Sequence, residues 1–362
     1  MTTQPLTLRR LLRDPFATSQ SLESAALVVG AFVFVLAGIV ALIAFWGRDL
    51  PLSGPGSLGQ FIAIGSAIVA LVIFVIGRWM LRRSTHAPSG LHWYDDIAIA
   101  IAHALIALIG WTGFAAVMSE SFVDATVYAF SAAAIAAVGI ALTAYAAFLS
   151  AVRLSPMLLS AVLAVFLVCG ALASMLSASD PHWWKLNLSA LGMTSDISSL
   201  TFNITLIVAG VIVTAIANYA AAALPASTQV ERRRRSTVRT ELDLLGILLA
   251  CVGIFPVNKF LTLHNMSAVG MLIVFAVLIL SIRRTVPNVP RVFALLGYVY
   301  LGVIFVVAVF FVTGYYNLTA VELIAAVLVF SWLILFLRNT SQPADASENR
   351  LPTSDESVAM TR

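Results

Sequence analysis

"YAFSAAAIAAVGIALTAYAAFLS", residues 128–150, carries no charged side chain over a run longer than the ~20 residues a helix needs to cross the hydrocarbon core of a bilayer. Small residues recur on every face of a helix drawn through it, the pattern of a span packed tightly between neighbouring spans. The rest of the chain has the same character. Of its 362 residues 60% are hydrophobic and only 10% are charged, with a mean hydropathy of +0.98. A soluble protein of this size cannot hide that much apolar surface, so lipid must solvate it.

The sequence predicts an all-α, polytopic membrane protein of about ten spans, near 24–46, 57–80, 96–118, 122–150, 155–177, 199–223, 241–256, 266–283, 291–313 and 319–338. Of the 21 Lys and Arg residues, all except Arg48, Lys185 and Lys259 then fall on one side. Cytoplasmic loops are enriched in Lys and Arg, so that side is expected to be cytoplasmic, with both termini there. The organisation expected is a cytoplasmic segment 1–23, four helices over 24–154, six over 155–338, and a disordered polar tail 339–362. The first apolar run is too long for a signal peptide. An excess of Arg over Lys, 19 to 2, with abundant Ala suggests a GC-rich bacterial source, and so a bacterial cytoplasmic membrane.

The composition also excludes. Two cysteines, Cys169 and Cys251, both inside apolar runs, make neither a disulfide framework nor a metal site. The chain has no nucleophile-elbow, zincin or phosphate-loop motif, and no cofactor is expected. The run Arg232, Arg233, Arg234, Arg235 lies in "ERRRRSTVRTELD" (231–243). Without stacking aromatics it reads as topology control and attraction to anionic lipid head groups, not nucleic-acid binding.

Candidate chemistry gathers on the opposite side. "DPHWWKLNLSALG" (180–192) packs Asp180, His182, Trp183, Trp184 and Lys185 between two spans. The tryptophans suit the head-group interface, and Leu186, Leu188 and Leu191 predict a short helix lying flat there. Asp196, Ser198, Ser199 and Asn203 open the next span. The seventh span is short, about 14 residues before Pro256, and "GIFPVNKFLTLHN" (253–265) brings Lys259, His264 and Asn265 to the same side. Interrupted spans often mark binding sites, because freed backbone groups line a cavity. These residues are expected to form an outward polar pocket, with Asp196 and His264 converging. Three roles fit it: acid/base chemistry, binding of a lipid head group, or structural contact. Within the membrane, His103 lies two turns from Asp96 on a similar face, a candidate relay that a proton-coupled transporter would need.

The quoted stretches, with "SDISSLTFN" (195–203), resemble domain-of-unknown-function family 998, six-helix membrane proteins of bacteria and archaea. The matching positions are Trp183, Leu191, Gly192, Ile197, Ser198, Phe202, Asn203, Gly253, Ile254, Phe255, Pro256 and His264. The resemblance covers about 155–338. It implies a six-helix unit similar in layout to eukaryotic proteins of glycolipid-anchor remodelling. Membrane lipids are therefore the expected partners. A second membrane protein, docked on the first four helices, is the alternative.

Overall fold

The computed structural model describes residues 19–84, 92–222, 224–286 and 289–340. Most of the expected N-terminal segment and all of the expected tail beyond 340 lie outside them. Within the described residues ten α-helices follow one another: α1 (Ser19–Phe45), α2 (Leu58–Arg83), α3 (Trp93–Ser121), α4 (Ala129–Val152), α5 (Pro156–Leu176), α6 (Ile197–Ala222), α7 (Gln229–Ile254), α8 (Leu261–Thr285), α9 (Arg291–Val312) and α10 (Leu318–Thr340). Nine are long and apolar enough to cross a membrane; α7 is the exception. The protein is a multi-pass membrane protein by this measure.

Three local expectations are corrected. The fourth span does not begin at 122. Thr126–Tyr128 (β2) instead pairs antiparallel with Asp49–Pro51 (β1), in the register Asp49↔Tyr128, Leu50↔Val127 and Pro51↔Thr126. Among the described residues the fold is therefore all-α except for one two-stranded ladder between loops. The seventh helix is not short. It begins twelve residues earlier than read, at a capping box in which Thr228 accepts the Glu231 N–H and Glu231 reaches back. Finally, 183–192 is not one flat helix but two 3₁₀ turns, Trp183–Lys185 and Leu188–Gly192, with extended Asn187 between them.

The apolar surface facing lipid is large, as the exposed Phe32, Ile43, Phe305 and Val327 illustrate, so internal packing relies on small residues. At α6 and α7 the backbones touch: a Cβ on Gly246 would lie 2.5 Å from the Gly210 carbonyl oxygen. The main core joins Phe74 of α2, Ile99 and Ala102 of α3 and Ala151 of α4 to residues of α5–α10. Smaller clusters join α1, α2 and α4. The helix α2 sits centrally in the first half, packed against both α3 and α4, while α4 also packs on α1.

Candidate functional site

Of the residues read as an outward pocket, Asp196, Ser198, Asn203 and His264 enter a hydrogen-bonded network, a cap that joins the loops at one end of α5–α8. Asp196 stands just before α6, and its carboxylate accepts from Ser179 Oγ (2.7 Å), Thr194 Oγ1 (2.5 Å) and the Ser199 N–H (3.0 Å). Those donors hold its carboxyl well below the ordinary aspartate value. Ser199 Oγ and Asn203 Nδ2 both donate to the Gly192 carbonyl. Ser198 and Ser174 are buried and bond each other across α5 and α6. From the α7–α8 turn, Asn258 Nδ2 donates to the Met193 carbonyl.

His264, 3% exposed, ties the same cap from another side. Its Nδ1 meets the Phe255 carbonyl at 2.8 Å, and a carbonyl can only accept, so Nδ1 carries the proton. Its Nε2 lies 3.0 Å from the Ser189 hydroxyl oxygen, within hydrogen-bond distance. Asp196 and His264 thus serve different partners, with no hydrogen bond between them among the described residues. A small cavity of about 130 Å³ is lined by Asp180, Trp183, Asp196 and Ser198; His264, Lys259 and Asn203 do not line it. His182, Lys185, Lys259 and Asn265 are exposed, and Lys185 Nζ lies 5.8 Å from the Trp184 ring centroid.

One cap residue escaped sequence reading. Glu322, one turn inside α10, accepts the Leu188 N–H at 2.5 Å, and Asn317 Nδ2 donates to the Trp184 carbonyl. The signal was a lone acid in "NLTAVELIAAVLVF" (317–330), an ionisable group inside an apolar run.

A larger cavity lies elsewhere. The consecutive helices α3 and α4 stand apart on either side of α2 and meet mainly through two side chains. His103 accepts from Ser150 Oγ (2.7 Å) while its Nδ1 donates to the Ile99 carbonyl, and Trp111 Nε1 donates to Thr143 Oγ1 (3.0 Å). Between them runs a groove of about 830 Å³, lined by His103, Ala107, Gly110, Trp111, Val138, Leu142 and Ala146, with Ala70 of α2 in its floor. A second cavity of about 340 Å³, lined by Leu52, Met118 and Val127 among others, shares Trp111, Phe114 and Ile135 with it. From His103 to Phe122 the groove follows α3 for about 28 Å at the helical rise of 1.5 Å per residue, close to the ~30 Å of a hydrocarbon core. The polar atoms of His103, Trp111 and Thr143 that border it are already paired.

On the basic side, Asp96 is buried between two guanidinium groups, Arg78 (2.7 Å) and Arg82 (2.6 Å). His103 bonds neither of them, so Asp96 and His103 form no hydrogen-bonded relay among the described residues. Arg232, Arg233 and Arg234 are exposed and Arg235 is half-buried, on a stretch of α7 that projects beyond its packed part, which begins at Val238.

Neither a family model, nor a curated protein, nor a solved structure matches the chain.

Proposed function

We propose that the protein is a ten-span protein of the bacterial cytoplasmic membrane, with both termini inside, that binds a long-chain amphiphile, an envelope lipid or glycolipid, in the groove between α3 and α4. The observation that carries this reading is the groove: bilayer-deep, apolar along its length and of ligand size. Small residues at Ala107, Gly110 and Ala146 hollow it out. An added Cβ at Gly110 would meet nothing within 4 Å, so the space there is open. In lipid, a groove of this shape takes a hydrocarbon chain, because no polar group along it asks for water.

The polar cap over α5–α10 is then the structural half of the molecule, in the layout of the family whose motifs it resembles. Its Asp, His, Ser and Asn side chains are occupied in holding loops to helices, which supports a binding role over bond-breaking chemistry. The proton-coupled transporter gains no support from His103, whose two nitrogens are spent on α3 and α4.

The second reading seats a helix of a partner membrane protein in the same groove, favoured by the small residues of α4. Native mass spectrometry of the protein released from nanodiscs separates the two. Lipid binding predicts a retained lipid mass that Gly110→Leu and Ala146→Phe diminish at least tenfold without loss of folding. A retained polypeptide in place of lipid would establish the partner reading, and an empty wild-type groove would refute both.

A further inference from the structure

Glu322 is the point where the cap meets the membrane-spanning part of α10. Among the described residues no Lys, Arg or His forms an ion pair with it. Its partners are backbone N–H groups of the Leu188–Gly192 turn, Leu188 at 2.5 Å and Ser189 beside it. An ionised carboxylate offers about four acceptor positions, so two N–H groups leave it half satisfied.

Two more oxygens stand on residues that neighbour the Glu322–Leu188 contact in the chain. Asn187 Oδ1 belongs to the residue preceding Leu188, and Thr319 Oγ1 stands one turn before Glu322 on the same face of α10. Both are sealed from solvent and have no hydrogen-bond partner among the described residues, and Thr319 as a whole is 7% exposed. Only five side-chain atoms among the described residues are buried and unpartnered in this way. Of the five, two belong to residues close in the chain to the Glu322–Leu188 hydrogen bond, Asn187 directly before Leu188 and Thr319 one turn before Glu322.

This cluster has lone pairs to spare, and with Glu322 ionised it carries one negative charge without a counter-charge among the described residues. Its donors are all oxygens, which select a hard cation over a soft transition metal. One carboxylate balances one positive charge; a divalent ion would leave an uncompensated charge in a medium that solvates it poorly. We propose that Glu322, Asn187 and Thr319 bind one Na⁺ ion beneath the outer cap, and that the ion fastens the Asn187–Gly192 segment to α10. The site is separate from the α3–α4 groove and does not depend on the lipid reading.

The full chain, purified in detergent at constant ionic strength and pH, is melted while choline chloride is replaced by NaCl or by KCl. Ligand linkage predicts a melting temperature that climbs with Na⁺, by on the order of 5 °C at saturation, and much less with K⁺. Equilibrium dialysis with radioactive Na⁺ should find about one ion per chain. Thr319→Val, which keeps the Glu322–Leu188 bond, should weaken that binding at least tenfold, and Glu322→Gln should abolish it. Equal shifts in all three salts, or Na⁺ binding that survives in Thr319→Val, overturn the proposal. So does a melt that follows pH with no bound Na⁺, which would assign the pocket to a proton.

Discussion

At the residue scale, the buried charges of the Arg78–Asp96–Arg82 cluster are held as a group. Arg78 is 3% exposed and its guanidinium shares Asp96 with Arg82, while also donating to the Ala151 carbonyl. Removing one member of such a pair leaves an uncompensated charge at a cost of about 3–5 kcal/mol. Asp96→Asn should therefore lower the melting temperature sharply. The double change Arg78→Met with Asp96→Leu should cost clearly less, and equal losses would show that the ion pair matters only as packing volume. Asp196 makes a pH-dependent statement. Its carboxyl is held below the ordinary value of 3.8 by Ser179, Thr194 and Ser199. A lowered folded-state value stabilises the protein above about pH 4 and stops doing so as the carboxylate protonates. Asp196→Asn should melt below the wild type at pH 7, with the gap closing in melts taken progressively below pH 4.

At the scale of the helix, glycine has two opposite uses here. Gly246 lets α7 lie against α6, and its Cβ would collide with the Gly210 carbonyl and with Thr214 Cγ2 at 2.7 Å. Gly110 borders open space. Gly246→Leu should cost ~3 kcal/mol or more through overpacking of two rigid backbones, visible as loss of the monodisperse peak in size-exclusion chromatography. Gly110→Leu should leave that peak intact. If both variants behave alike, the close α6–α7 approach is not what holds the helices together. The basic end of α7 follows a different rule. Four consecutive arginines on a helix turn through about 300°, so the run is basic on every side and has no apolar face with which to lie in the membrane. It reads as a solvated projection whose charge acts on head groups and on topology.

At the scale of the whole molecule, the two halves divide the labour. The helices α5–α10 carry a hydrogen-bonded cap on one end, and α1–α4 carry an open lateral groove. The main core nevertheless runs through both, since Phe74, Ile99 and Ala151 belong to it. The position near 154, where the sequence changes from four helices to six, is therefore no boundary in packing. The orientation proposed places the cap outside and the arginine run inside. Cysteines introduced as Ser179→Cys and Asn265→Cys should react with an impermeant thiol reagent on intact cells, and Ser236→Cys should react only after lysis. The reverse labelling would turn the molecule over and move the cap to the cytoplasm.

The sequence alone was enough for the membrane class, the order of ten helices and the end of the molecule at which polar residues collect. Each of these depends on hydropathy over a window or on a tally of charges, and both are properties of local composition. Tertiary structure decided the rest. That Asp196 and His264 serve separate bonds depends on the path of the Asn187–Gly192 segment, which no periodicity encodes. The early start of α7 was hidden because its first turns are charged, and a hydropathy window ends where solvent begins. Glu322 was visible as a lone acid, but its partners are backbone N–H groups 134 residues away in the chain. The groove was the least legible feature. It exists because α3 and α4, neighbours in sequence, pack on α2 instead of on each other. That choice is settled by which small residues allow close approach in three dimensions, not by how apolar either helix is.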